Sequence, residues 1–72
     1  MKTYGVAIVG AGNVAKAHLM AVRATEHAET VALGTRSLAR GQAWAAEQEL
    51  DCPIYSDLSE LLANDEVDIV IL

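Results

Sequence analysis

A chain of 72 residues with 53% hydrophobic and 21% charged side chains and one proline has the composition of a packed globular segment, which excludes a disordered tail and leaves no room for a two-domain enzyme within these residues. One cysteine, Cys52, and two histidines permit no intrachain disulfide and supply too few ligands for a familiar structural zinc site. The net charge of −5 disfavours a grip on a long nucleic acid through its phosphates, although two of the five cations, Arg36 and Arg40, stand close together.

Residues Tyr4 to Val9 form a short apolar run between glycines, which predicts a strand buried on both faces. Lys2 ahead of it and Ala15-Lys16-Ala17 beyond it raise the alternative of a secretory leader. Gly5, Gly10 and Gly12 interrupt the apolar stretch, however, and Asn13 and Lys16 follow at once, so strand, turn and helix is the better reading. A helix is predicted from Asn13 to Thr25, with Val14, Ala17 and Ala21, joined by Leu19 and Val22, turned inward and Lys16 and Arg23 outward. Glu29 to Gly34 predicts a second buried strand, and Ser37 can cap a helix running from Leu38 to Glu49. Pro53-Ile54-Tyr55 is long enough only for a brief third strand. Ser56-Asp57 then opens a third helix, in which Asp57 and Glu60 have capping-box spacing ahead of Leu61 and Leu62 and which Asn64 and Asp65 end. Val67 to Leu72 is an apolar fourth strand.

The order βαβαβαβ specifies parallel strands, because parallel neighbours need crossovers and right-handed helical crossovers cover the faces. The expected fold is therefore α/β, the first portion of a doubly wound, Rossmann-type parallel sheet. Repeats, linkers and low-complexity tracts are lacking, so the domain boundary is expected beyond Leu72. No stretch approaches the roughly 20 apolar residues of a membrane helix, and the expected setting is cytoplasmic, without membrane or nucleic-acid partners.

The turn after the first strand reads Gly10-Ala11-Gly12-Asn13-Val14-Ala15, the GxGxxG/A form of the dinucleotide fingerprint, between a strand and the helix it opens. Gly10 allows a sharp turn, Gly12 lets the backbone approach a pyrophosphate, and Ala15 lets the helix pack tightly on the strand. Unpaired amides at the helix start then supply anion binding without a basic side chain. Glycines also make plain strand-to-helix turns, and it is the strand before, the helix after and a second strand ending about 20 residues on that give this one weight.

NAD-binding versions of this turn carry an acid at the end of the second strand that accepts hydrogen bonds from the adenosine ribose. Glu29 would start that strand instead, at the wrong edge for a ligand. The carboxyl end reads Gly34-Thr35-Arg36-Ser37, with Arg40 one turn into the next helix. An aspartate would repel a 2′-phosphate, whereas Thr35 and Ser37 can donate to it and Arg36 can add charge-assisted bonds. NADP is thus favoured, with NAD as the alternative. The competing reading is that Arg36 and Arg40 merely solvate a loop and a helix face.

Taken together, VAIVGAGNVAKAHLMAV, VALGTRSLARGQAWAAE and IYSDLSELLANDEVDIVIL resemble the start of the Gfo/Idh/MocA oxidoreductases, the family of glucose-fructose oxidoreductase and inositol dehydrogenase. The resemblance covers the whole chain. Thr35 falls where NAD-using members carry an acid, and Thr35-Arg36 with Arg40 is similar to members that use NADPH. The resemblance implies an NAD(P)-dependent oxidoreductase acting on a sugar, polyol or related carbonyl compound. It also implies a later Glu-Lys-Pro motif whose lysine serves the chemistry, and a substrate domain whose open sheet forms a homo-oligomer. None of those parts is among residues 1–72, so no catalytic residue is assigned here, and the chain alone is expected to be inactive.

The remaining chemistry-bearing residues have blander readings. His18 inside the first helix is expected to pack or hydrogen bond, and His27 to be solvated. Cys52 reads as a small buried hydrophobe and Trp44 as a cover for apolar surface. Asp65, Glu66 and Asp68 read as a solvated turn and not a metal site. Two other classes of function compete with the enzyme: a nucleotide-sensing module without catalysis, and a site for FAD or S-adenosylmethionine. Residues following Leu72 and ligand titration discriminate among them.

Overall fold

The computed structural model describes residues 2–10 and 12–72. Strand β1 occupies Tyr4–Val9 and is buried from Gly5 to Ile8, as its unbroken apolar run requires. Helix α1 follows at Asn13–Ala24, then β2 at Ala28–Gly34, α2 at Leu38–Glu47, β3 at Ile54–Tyr55, α3 at Leu58–Leu62 and β4 at Ile69–Ile71. All strand pairs are parallel, in the order β3-β2-β1-β4.

That order, together with right-handed crossovers, fixes which face each helix covers. The chain steps from β1 to β2 to β3 in one direction, and right-handed crossovers lay α1 and α2 on one face. It then returns past β1 to β4, which lays α3 on the other. Two cores result. Val6, Ile8 and Leu33 pack with Ala15, Leu19 and Val22 of α1 and with Trp44 and Ala45 of α2, whereas Ala7 and Ala32 pack with Leu61 of α3. The reversal between β1 and β4 is the topological switch point, outside whose carboxyl edge ligands of such sheets lie.

The inward face of α1 differs from expectation. Val14 is 72% exposed and Ala17 and Ala21 lie at the surface, while Ala15, Leu19 and Val22 are buried at i, i+4 and i+7. Alanines all around the helix carry little directional signal, so its rotation is decided by how closely residue 15 must approach β1 after the glycine turn. A β-bulge is the second departure. Val6 pairs with Thr30 but Ala7 with Ala32, leaving Val31 as the extra residue and bringing Val9 level with Gly34.

Helix α2 starts on Ser37, whose Oγ accepts from Arg40 N at 3.3 Å. It ends two residues before the predicted Glu49, which instead adopts φ 55° beyond the helix. Leu50 N donates to Ala45 O at 2.8 Å and Glu49 N to Ala46 O at 3.2 Å, the paired bonds of a Schellman motif. Leu50 completes it by packing on the α1/α2 core.

The predicted fourth strand begins later than Val67 because Asp68 is used as a clasp. Gly5 N donates to Asp68 Oδ2 at 2.8 Å, and Asp68 N donates to Gly5 O at 2.8 Å. Lys2 Nζ lies 3.3 Å from Asp68 Oδ1 and 5.2 Å from the centre of the Tyr4 ring. The Gly5 amide, and then Lys2, hold the Asp68 carboxyl below the usual carboxylate range. A carboxyl lowered in the folded state stabilises fully above its unfolded pKa, near 3.9, and ceases to do so as pH falls through the lower folded value. Asp68→Asn is therefore expected to flatten the loss of stability between about pH 5 and pH 2, as read by urea unfolding at a series of pH values. An acid limb as steep as wild type would assign that loss to other carboxylates, Asp57 foremost.

Candidate functional site

The carboxyl ends of β1, β2 and β3 and the amino ends of the three helices meet along one edge of the sheet. Between β1 and α1 the backbone turns at Gly10, φ 122°, and Gly12, φ 91° and ψ −159°. Side chains are strongly disfavoured in both conformations, and that of Gly12 belongs to glycine almost alone. A Cβ built on either residue would meet no atom within 4 Å, so the space over the turn is open. Gly10 N donates to Gly34 O at 2.7 Å, which ties the turn to the end of β2. Ala11, the remaining member of the predicted turn, lies outside the described residues.

Helix α1 has no side-chain cap at Gly12 and no acid in its first turn. Its intrahelical ladder opens with Lys16 N donating to Gly12 O at 2.9 Å, so the amides of Asn13, Val14 and Ala15 have no helical partner. Asn13 and Val14 are exposed, whereas Ala15 is buried against β1. The arrangement is a concave set of N–H donors at the positive end of a helix, suited to an anion.

At the end of β2, Thr35 N donates to Tyr55 O at 2.9 Å. The Thr35 hydroxyl donates to Ser37 O at 3.2 Å and accepts from Ser37 N at 3.3 Å, so it is engaged within its own turn. Ser37 Oγ serves as the acceptor at the α2 cap, which leaves its hydrogen free to be donated. Arg36 and Arg40 are exposed, and neither makes an ion pair among the described residues.

Five of the predicted residues line one or the other of two hollows, whereas Asn13, Val14, Ala15 and Ser37 line neither. Gly10, Thr35 and Arg36 line a cavity of about 350 Å³ whose other wall includes Tyr55, Asp57 and Leu58. Gly12 and Arg40 line a second, about 390 Å³, with Ala43, Trp44 and Glu47 between α1 and α2. The two arginines therefore do not share one pocket. Tyr55, Asp57 and Leu58 were not singled out in the sequence as site residues. The signal that finds them is the rule already applied to β1 and β2: a ligand lies beyond the carboxyl ends, and these three stand at the end of β3 or just past it.

The proposed capping box at α3 is half formed. Asp57 Oδ1 accepts from Ser59 N at 2.8 Å and from Ser59 Oγ at 2.9 Å, with no reciprocal bond from Glu60 among the described residues. The Ser59 hydroxyl, then the Ser59 amide, hold the Asp57 carboxyl below its ordinary range. Cys52 is half-buried against the α1/α2 core, where burial, then the Asp51 carboxylate, push its thiol up and disfavour the reactive thiolate. Among the described residues no three His, Cys, Asp or Glu gather as metal ligands, and no helix is long and apolar enough to cross a membrane.

Known proteins share this fold. An NAD-binding protein from Listeria innocua is 29% identical, with a TM-score of 0.79 over 96% of this chain and 20% of its own. A scyllo-inositol dehydrogenase from Lactobacillus casei, with bound NAD(H) and scyllo-inositol, is 22% identical, with a TM-score of 0.77 over 97% of this chain and 21% of its own. GenD2 from gentamicin A biosynthesis, in complex with NAD, is 24% identical, with a TM-score of 0.79 over 100% of this chain and 21% of its own. The last two likenesses are of fold. The chain thus spans about a fifth of the length of these solved structures. No curated protein matches it. The family described as an oxidoreductase family with an NAD-binding Rossmann fold matches residues 4–72, and the parallel sheet and the glycine turn with its open cradle agree with that match: the chain belongs to the Gfo/Idh/MocA family.

Proposed function

We propose that residues 1–72 are the first part of the dinucleotide-binding domain of a longer oxidoreductase, which moves a hydride between NADP and a sugar, polyol or related carbonyl substrate. The observation that carries this reading is the glycine turn with its uncapped helix and the open space over Gly10 and Gly12, next to a β2 end that bears Thr35 and Arg36 where an acid would favour NAD. When bound, the nicotinamide supplies the hydride chemistry.

This chain's residues bind and orient. The first-turn amides of α1, at Asn13 and Val14, hold the diphosphate, and Gly10, Gly12 and Ala15 keep side chains out of its way. Arg36 and the free hydrogen of the Ser37 hydroxyl hold the 2′-phosphate, and Arg40 adds positive potential from the neighbouring groove. Thr35 contributes chiefly by being uncharged, since its hydroxyl is engaged with Ser37. The catalytic acid or base and the substrate contacts belong to the rest of the protein, which forms a homo-oligomer in the cytoplasm.

Titration of the intact protein with NADPH and NADH, followed by nicotinamide fluorescence, tests the reading. NADPH is expected to bind about 10- to 100-fold more tightly, the worth of one set of charge-assisted bonds to phosphate. Equal affinities would remove the NADP preference, and failure of both to bind would remove the dinucleotide.

A further inference from the structure

Gly41 is the fourth residue of α2, and nothing in its backbone calls for glycine: the glycines with positive φ are Gly10 and Gly12. Glycine inside a helix is destabilising relative to alanine, so its presence here is explained by a contact. A Cβ on Gly41 would fall 2.6 Å from Thr35 Cγ2, 3.3 Å from Thr35 Cβ and 3.1 Å from Ile54 Cγ2. Helix α2 therefore rests directly on the side chain at the end of β2, and the threonine methyl takes the space that an alanine methyl would need.

Thr35 has one way to yield. Its side chain turns about χ1 alone, and its methyl and hydroxyl hang on the same carbon. A rotation that carries Cγ2 away from position 41 also carries Oγ1, the atom that donates to Ser37 O at 3.2 Å and accepts from Ser37 N at 3.3 Å. The other escape, a shift of α2 away from β2, moves the same turn, because Gly41 N donates to Ser37 O at 2.9 Å. Ser37 O thus accepts from Thr35 and from Gly41 together. Either route displaces Ser37, whose hydroxyl caps α2, and Arg36 beside it.

We infer that Gly41 is a positioning residue for the turn that reads the 2′-phosphate: by leaving room for the Thr35 methyl it lets the Thr35 hydroxyl pin Ser37, and so sets where Arg36 and the Ser37 hydroxyl stand. This rests on the NADP reading and deepens it. Gly41 is buried and lines neither hollow, so it acts on the cofactor only through Thr35 and Ser37. NADH lacks the phosphate, and a displaced turn therefore weakens NADPH selectively, whereas a role in packing alone would move both affinities together or neither.

Affinities of the intact protein for NADPH and NADH, measured for wild type, Gly41→Ala, Thr35→Ser and the double variant, test the inference. Gly41→Ala is expected to lower the ratio of NADPH to NADH affinity about 10-fold. Serine keeps the hydroxyl and lacks Cγ2, the atom at 2.6 Å, so in the Thr35→Ser background the same exchange is expected to change the ratio less than about twofold. An equal loss in both backgrounds would overturn the inference, as would a Gly41→Ala protein that keeps the wild-type ratio, whatever its melting temperature. Should Gly41→Ala fail to fold, Thr35→Val carries the test. It keeps the shape that faces Gly41 and removes the hydroxyl, so the ratio is expected to fall about 10-fold, and an unchanged ratio overturns the inference. A wild type that binds both cofactors equally removes the NADP preference and this inference with it, an outcome distinct from a preference that survives Gly41→Ala.

Discussion

Exchanging Thr35 for aspartate together with Arg36 for alanine in the intact protein is expected to lower the ratio of NADP to NAD affinity by about 100- to 1000-fold. Loss of charge-assisted bonds from Arg36 to a phosphate removes about 1.5–3 kcal/mol, and a carboxylate at position 35 adds like-charge repulsion against that phosphate, for a total of about 3–4 kcal/mol. The NAD arm is expected to hold or gain, because the new carboxylate can accept from the ribose hydroxyls. The fold tolerates the exchange in outline: Thr35 Oγ1 accepts from Ser37 N, and an aspartate oxygen can take over that bond. Arg36 is exposed and makes no ion pair among the described residues, so its truncation leaves no buried partner stranded. Binding of both cofactors measured side by side checks the result. An unchanged ratio would show that the end of β2 does not read the 2′-position.

The largest effect on stability is expected from the smallest substitution, Gly5→Ala. A Cβ at this position would fall 1.8 Å from the Glu66 carbonyl oxygen and 3.0 Å from Val31 Cγ2. The obstructing atom is backbone, so no rotamer change relieves it. Gly5 also donates to Asp68 and accepts from the Asp68 amide, so any outward shift of the turn before β4 strains the clasp that aligns β4 with β1. A cost of about 3 kcal/mol, at the upper end for overpacking, is expected, a large fraction of the stability of an ordinary domain. Thermal and urea unfolding of the variant check it. A melting temperature equal to wild type would mean that residues 64–68 yield freely and that the Asp68 contacts contribute little.

The site was legible in part because its elements are local. The glycine turn is a backbone requirement written into six consecutive residues, and Thr35 to Ser37 follow directly from the end of a strand. Tyr55, Asp57 and Leu58 were harder to see. A strand of two residues announces its carboxyl edge weakly, and Asp57 already had an explanation as a helix cap. Arg36 and Arg40 looked like one cluster because they are four residues apart. They line separate hollows because Arg36 lies in the loop before the Ser37 cap and Arg40 beyond it on α2, which packs on the opposite face of the sheet from α3.

Alternation of strand and helix, the parallel sheet, the glycine conformations and the Ser37 cap are consequences of neighbouring residues, and periodicity and turn chemistry are enough to derive them. Other features depend on what meets across the fold. The rotation of α1 onto Ala15, Leu19 and Val22, the bulge at Val31 and the Asp68 clasp on Gly5 were decided by packing between segments distant in the chain. In α1, small side chains surround the helix and leave its own pattern ambiguous, so the strand beneath selects the buried face. Asp68 reads in sequence as a polar interruption of an apolar strand, and only the approach of β1, 63 residues away, gives its carboxylate a donor.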